Sequence, residues 1–393
     1  MPSVSTMGVK EWPVPAVPTP VLSLAARATI SCISFSDSTA TTRRGVNDWF
    51  PTQFVQVLID AASSSKGRTT AAFGTLVRAW AMGERVMNIG LVGCGHWGQY
   101  ILRDLQTLGC RVSVVARSEE TRRRAEAGGA DLVVEGSDQL NGVDGVVVAT
   151  PTSVHADSVE QILGLGVPIF VEKPLTNDPA QAQMIADSAP DRVFVMDKWR
   201  YHPGIELLAW LTRKGALGEI RGVKTTRIGW GSPHRDVDAI WILLPHDLSI
   251  ALEILGHLPP PTGALADVAG GVVRGIDAWS SGSQWAAYQV SSRSPERMRS
   301  TAVYGSEATA VLAGTFAQHV AVYPAGDPQE TSVPQPRLLA VPTDMPLLAE
   351  LRAFVDHLNG GAAPRSSAKE GAAIVKTVAA FRELAGLDQE TES

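Results

Sequence analysis

The chain has 393 residues, enough for two domains that each bury a full hydrophobic core. Its net charge of −6 argues against nucleic acid or an anionic membrane surface as the main partner. No apolar run reaches eighteen residues, so we expect no membrane span. The cysteines at 32, 94 and 110 have no spacing typical of a disulfide or a metal site, which predicts a reducing cytoplasmic location and no bound metal.

Residues 1–86 differ in composition from the rest of the chain and show no strong hydrophobic periodicity. We interpret them as an upstream extension, either disordered or the product of a misplaced start codon, since Met87 directly opens the first strand. The alternative is a twin-arginine export signal at Thr42-Arg43-Arg44. Asp48 and Asp60 interrupt the apolar stretch that such a signal needs, which disfavours this alternative.

From Met87 onward, strands and helices alternate. After the first strand, continuous apolar runs predict buried strands at 111–116, 131–135, 143–149, 167–171 and 192–197. Helical patterns lie between them, at 97–108, 119–128, 153–165 and 179–189. The alternation predicts an α/β fold whose N-terminal domain, 87–205, is a doubly wound Rossmann sheet.

After Pro203 the pattern changes to consecutive strands. A helix at 204–214 is followed by strand patterns at 219–229, 263–269, 273–279, 285–292, 299–304, 308–314 and 318–323. One predicted helix, 246–255, interrupts them, and two more, 346–358 and 367–384, close the chain. This order predicts a C-terminal α+β domain, 206–393, with a large, open, mostly antiparallel sheet.

The first strand runs into a glycine-rich turn, Gly93-Cys-Gly-His-Trp-Gly98, and then into a helix. Gly93 allows the tight turn, Gly95 leaves room for a pyrophosphate, and Gly98 lets the helix pack close to the strand. In this strand–turn–helix setting, the glycine pattern predicts a dinucleotide-binding loop.

The end of the second strand bears on which dinucleotide binds. NAD-specific folds place a carboxylate there to hold the ribose 2′-hydroxyl, but here Ala116 and Arg117 are followed by Ser118. Arginine and serine can hydrogen-bond a 2′-phosphate, so we favour NADP over NAD. The alternative is that Arg117 begins a solvated loop.

Two further strand ends carry polar residues. Thr150-Pro151 follows the fourth strand, where small and hydroxyl residues suit a loop against the cofactor. His155, close behind, is interpreted as structural. Glu172-Lys173-Pro174 ends the fifth strand, and there the Lys173 ammonium could stabilise negative charge on a substrate oxygen during hydride transfer.

Pro245-His246-Asp247 opens the predicted helix of the second domain. Proline is tolerated at the first helical position, which places His246 in the first turn, where the helix dipole keeps imidazole neutral. We therefore expect His246 to act as the acid/base partner of Lys173. Asp247 is explained by the same helix terminus without a catalytic role.

These motifs occur together with Arg200-Tyr-His-Pro203 and Gly215-Ala-Leu-Gly-Glu219, and residues 87 to about 385 resemble the glucose–fructose oxidoreductase/inositol dehydrogenase (Gfo/Idh/MocA) family. The resemblance implies an NAD(P)-dependent oxidoreductase acting on a sugar or nucleotide-linked sugar, a homo-oligomer (dimer or tetramer), and Lys173 and His246 as the catalytic pair. The predicted cofactor-binding residues are Gly93, Gly95, His96, Trp97, Gly98, Arg117, Ser118, Thr150, Pro151, Glu172 and Lys173.

The sequence departs from the family pattern at one position. Similar members carry an aspartate four residues before the histidine, and here that residue is Ile242. Asp238 or Asp236 could supply the carboxylate from the preceding loop, or the site could run on Lys173 and His246 alone. The remaining alternative is a non-catalytic nucleotide-binding sensor or partner subunit that keeps the fold.

Overall fold

A computed structural model describes residues 85–231, 236–326, 329 and 331–387. The predicted extension, 1–86, therefore lies outside the described residues except for its last two. Within the described part of the chain, no helix combines the length and the apolar character needed to cross a lipid bilayer.

The N-terminal sheet is parallel and has six strands in the order β3-β2-β1-β4-β5-β6. Its strands are β1 Asn88–Val92, β2 Arg111–Val115, β3 Leu132–Val134, β4 Gly145–Val148, β5 Ile169–Glu172 and β6 Val193–Met196. The helices between them are α1 Gly98–Thr107, α2 Glu119–Ala127, α3 His155–Leu163 and α4 Pro179–Ser188. Every residue of β4, β5 and β6 is buried, which confirms the prediction made from their unbroken apolar runs.

The second sheet has eight strands in the order β14-β13-β12-β11-β7-β10-β9-β8. They are β7 Ile220–Trp230, β8 Pro261–Ala269, β9 Val272–Ser280, β10 Trp285–Ser291, β11 Arg293–Gly305, β12 Ala308–Leu312, β13 His319–Pro324 and β14 Arg337–Ala340. The helices α5, Pro203–Arg213, and α6, Ala239–Leu255, belong to this part of the chain. The pairings are antiparallel except for β10 with β7, so the predicted fold class is confirmed.

The start of α6 differs from the prediction. The helix begins at Ala239, with the Asp238 side chain accepting from the N–H groups of Ile240 and Trp241, and Pro245 lies in its interior. The predicted start at 246 is wrong, and His246 is not in the first turn. Proline costs an interior helix about 3 kcal/mol, but nearly all of α6 is buried, and that apolar packing outweighs the loss.

The last two helices, α7 Pro346–Leu358 and α8 Ala368–Leu384, return to the parallel sheet. Phe354 of α7 stacks on Phe170 of β5, with ring centroids 5.0 Å apart. Gly371 of α8 lies so close to β6 that a Cβ there would be 2.6 Å from the Val195 side chain. Helix α8 also packs against β8 of the second sheet, and the domain boundary near 205 stays a prediction.

Candidate active site

The turn after β1 has the geometry of a dinucleotide loop. Gly93 has φ +97°, and a Cβ on it would lie 2.8 Å from the Ala149 carbonyl oxygen. A Cβ on Gly98 would lie 2.4 Å from the Gly93 carbonyl oxygen, so both positions require glycine for packing. A Cβ on Gly95 would meet nothing within 4 Å. Because the protein's own packing does not demand glycine at 95, the open space there fits the approach of a pyrophosphate.

The aromatic residue of this loop is anchored to the end of β5. The Trp97 indole N–H donates to Glu172 Oε1, and the second Glu172 oxygen accepts from the Lys173 N–H at 3.1 Å. On its face, the Trp97 ring receives the Lys198 ammonium at 3.8 Å from the ring centroid. His96 is exposed. The hydrogen bond between Trp97 and Glu172 therefore holds the glycine loop against the end of β5.

At the end of β2, the predicted NADP residues are exposed. Arg117 donates to Gln161 Oε1 at 2.7 Å, from an otherwise solvated position. Ser118 caps α2 by accepting from the Thr121 N–H at 3.2 Å. Arg117 is therefore the side chain at this strand end that can turn toward a ligand.

The ends of β4 and β5 are joined by His155. Its two ring nitrogens lie 3.0 Å from the Thr150 carbonyl oxygen and 2.8 Å from that of Pro174, and the ring is 1% exposed. Burial lowers the pKa of His155, against the hydrogen bonds to the two carbonyl groups, which favour the charged ring. The structure supports the structural role predicted for this histidine. Pro151 lies shortly before α3. Between the two, the Ser153 N–H donates to Asp236 Oδ2 at 3.2 Å.

Lys173 reaches from the parallel sheet to α6. Its ammonium donates to the Ile242 carbonyl oxygen at 3.1 Å. Position 242, where the family pattern has a carboxylate, therefore still contacts Lys173, through its main chain. Burial lowers the pKa of Lys173 to about 8, and the repulsion of Lys198 and Arg227 adds to this, against the attraction of Glu172.

His246 lies one helical turn beyond Ile242 and is 9% exposed. Burial lowers its pKa well below the usual value, because the charged ring cannot be hydrated. Four cations lower this pKa further: Lys173, Arg227, Lys198 and Arg299. The ring is neutral, as predicted, but the helix terminus is not the cause.

Two other predicted explanations change with the boundary of α6. Asp247 forms a buried ion pair with Arg227, Nε to Oδ2 at 2.6 Å, so its role is not to stabilise a helix terminus. Asp238 caps the true start of α6 and is paired with Arg382. Asp238 is therefore committed to the helix start and does not replace the missing carboxylate.

Sequence reasoning missed two charged groups around Glu172. Lys198 follows β6 at the same sheet edge as Lys173, and that placement could have identified it. Glu350 is completely buried on α7, and neither of its carboxylate oxygens has a hydrogen-bond partner among the described residues. Burial, and then the neighbouring Glu172, raise the pKa of Glu350 well above its usual value, against the attraction of Lys198. Glu350 stands three or four residues from Leu347 and Phe354 and next to Leu351, so helical periodicity places it on the buried face of α7. That periodicity was the sequence signal for this residue.

Residues 87–195 match the model of GFO_IDH_MocA, an oxidoreductase family with an NAD-binding Rossmann fold. The chain is 29% identical over 181 residues to UDP-N-acetylglucosamine 3-dehydrogenase of Acidithiobacillus ferrooxidans, covering 44% of this chain and 56% of that protein. It is 26% identical over 194 residues to inositol 2-dehydrogenase of Rhizobium meliloti, covering 46% and 59%. The matching region thus spans somewhat over half the length of these curated relatives.

Solved structures share the fold over a longer range. That of the Acidithiobacillus ferrooxidans enzyme has a TM-score of 0.67 at 21% identity and covers 77% of this chain and 99% of that one. Levoglucosan dehydrogenase, in complex with NADH and levoglucosan, has a TM-score of 0.69 at 16% identity, covering 77% and 98%. At such identities the likeness establishes the fold alone. The match of residues 87–195 to the model of this oxidoreductase family confirms the predicted resemblance for the Rossmann sheet.

Proposed function

We propose that this protein is an NAD(P)-dependent oxidoreductase that interconverts a hydroxyl and a ketone on a sugar or nucleotide-linked sugar. The observation that carries the proposal is the contact between Lys173 and α6, one turn from His246, at the sheet edge that holds the glycine loop. Open α/β sheets bind their ligands at this edge. The named relatives are sugar and nucleotide-sugar dehydrogenases, which supports the substrate class.

When bound, a nicotinamide would accept a hydride from the sugar carbon, or return one to a ketone. The residues proposed to hold the dinucleotide are the glycines of the loop and Thr150 and Pro151 beside it. In the oxidative direction, neutral His246 takes the hydroxyl proton, and the Lys173 ammonium stabilises the charge that develops on the oxygen. In the reductive direction both roles reverse.

A non-catalytic sensor is the second function considered. This alternative arose because Ile242 stands where similar proteins have an aspartate. Lys173 nevertheless hydrogen-bonds the main-chain carbonyl of Ile242, so its ammonium is positioned without that carboxylate. We therefore favour the enzyme. The cytoplasmic location and the homo-oligomer remain predictions; the free thiols of buried Cys94 and Cys110 support the first.

A substrate panel tests the activity. The full chain is incubated with NADP or NAD and with neutral sugars, sugar acids and nucleotide-linked sugars, and nicotinamide absorbance is followed. We expect turnover of at least one compound. Tight cofactor binding without turnover of any member would favour the sensor.

The preference for NADP is proposed from Arg117, which is exposed and hydrogen-bonds Gln161. We expect Arg117→Asp to lower the ratio of NADP to NAD affinity by about 10- to 150-fold, because a charge-assisted hydrogen bond contributes about 1.5–3 kcal/mol. Titration of both nucleotides measures the ratio. Arg123→Asp makes the same charge change on an exposed face of α2 and is the control. An unchanged ratio in Arg117→Asp would mean that this side chain remains in solvent.

A further inference from the structure

Two arginines face each other across neighbouring strands of the second sheet. Arg299 of β11 is the direct cross-strand partner of Arg227 of β7, in an antiparallel register. Directly opposed residues lie on the same face with Cβ atoms about 5 Å apart, and like charges placed there repel. Arg227 is compensated, because it pairs with Asp247 at 2.6 Å and lies over the Trp199 ring at 4.6 Å.

Arg299 has no such compensation. It makes no hydrogen bond or ion pair with any residue that the structure describes, although it is partly buried. Burial, and then the neighbouring Arg227 and Arg297, lower the pKa of Arg299 to about 10, against the attraction of Asp247. Arg297 lies near the same face, since a Cβ on Gly229, two residues after Arg227 in β7, would be 3.7 Å from its Cγ. Among the described residues, three guanidiniums therefore lie together near this face, and the carboxylate that acts on Arg299 there is that of Asp247.

This arginine group lies beside the proposed catalytic histidine. Asp247 is the chain neighbour of His246, and the Trp199 ring lies edge-on to the His246 ring, with centroids 6.4 Å apart. The cavity between Arg227 and Arg299 has a volume of only about 10 Å³, which is the room of one water molecule. A ligand larger than water must therefore contact Arg299 from the side that is exposed to solvent.

We propose that Arg299, with Arg297 on its outer side, binds an oxyanion of the substrate, a carboxylate or a phosphate. The planar guanidinium matches both groups through paired hydrogen bonds, and an anion would offset the repulsion within the arginine group. The inference rests on the proposed function and narrows its substrate class to anionic sugars. Neutral sugars offer no negative charge to pair with Arg299.

Matched pairs of compounds test the inference with the full chain and bound cofactor. The pairs are glucose with glucuronate, and N-acetylglucosamine with its UDP-linked form. Binding is measured by calorimetry, and kcat/KM where turnover occurs. We expect the parent to prefer the charged member of at least one pair. Arg299→Gln should lower the charged-to-neutral ratio by about 10- to 100-fold, whereas Arg299→Lys should retain more of it. A loss in the glucuronate pair identifies a carboxylate, and a loss in the other pair a phosphate.

Arg293→Gln is the control, because it removes an arginine of the same strand whose partner is Asp267. The inference is overturned if the parent prefers neither charged member, or if Arg299→Gln leaves the ratio unchanged in a folded protein, as judged by thermal melting. These outcomes differ from failure of the proposed function. Binding of a charged sugar that depends on Arg299 without any turnover would contradict the oxidoreductase and leave the oxyanion site standing.

Discussion

The Lys173→Met variant is expected to lose about 10²–10⁴-fold in kcat while keeping its fold, the usual scale for a positioned catalytic group. Lys173 brings its ammonium to the sheet edge and is held there by the Ile242 carbonyl at 3.1 Å. Methionine keeps much of the side-chain volume and removes the charge. Turnover of the panel substrate measures the effect, and Lys214→Met, on an exposed lysine, is the control.

The pH dependence of this step follows from the pKa of about 8. The ammonium form disappears as pH rises through this value, so kcat/KM of the parent should fall above pH 8 if the charged form is the active one. A rate that rises through pH 8 would contradict the role and indicate that neutral lysine acts as a base. The pH profile therefore tests which protonation state works.

Stability provides a second measurement on the same variant. The pKa of Lys173 falls from 10.5 in the unfolded chain to about 8 in the folded one, so the unfolded state binds more protons between these values. Parental stability should therefore rise with pH across this window, and Lys173→Met should lack the rise. The change across this window is about 3 kcal/mol, because each pKa unit corresponds to about 1.4 kcal/mol. The melting temperature of the variant relative to the parent should therefore rise as pH falls from 10.5 to 8.

The His246→Gln variant is expected to lose about 10²–10⁴-fold in kcat, because an amide cannot accept the hydroxyl proton. The pKa of His246 is well below 6.5, so the neutral ring persists through neutral pH and any acid limb of the parental profile should lie below 6.5. Turnover against pH measures both effects. His257→Gln, an exposed histidine just after α6, should behave as the parent.

Retention of parental kcat by His246→Gln would move the proton relay elsewhere. Tyr201 and His202, two titratable residues that follow Trp199 in the chain, are already engaged. The Tyr201 hydroxyl accepts from the Arg365 N–H at 2.9 Å, and both ring nitrogens of His202 have main-chain partners, Thr315 at 2.8 Å and Gly204 at 3.1 Å. Lys173 would then be the remaining candidate, and the pH profile described above would identify it.

The hydrophobic pattern of neighbouring residues was sufficient to predict most strands and helices. It failed where packing between residues far apart in the chain sets the boundary of an element. The buried strands of the parallel sheet follow from their unbroken apolar runs. The start of α6 was misplaced because the rule for proline concerns an isolated helix, whereas apolar packing holds Pro245 inside this one. Asp238 followed by apolar residues was the overlooked signal of the true start. The strand β14 was missed because its apolar run, Leu338-Leu-Ala340, is too short to distinguish a strand from a loop, and it lies largely exposed at the edge of the sheet.

The sequence by itself determined the glycine loop and placed Lys173 at the end of a strand, because both depend on residues that are neighbours in the chain. It also pointed to His246, with the right charge state for the wrong reason. Only the tertiary structure decided the contact of Lys173 with Ile242, the buried acid Glu350 and the opposition of Arg227 and Arg299. Each of these joins residues far apart in sequence, and burial and charge at such sites depend on which surfaces the folded chain brings together.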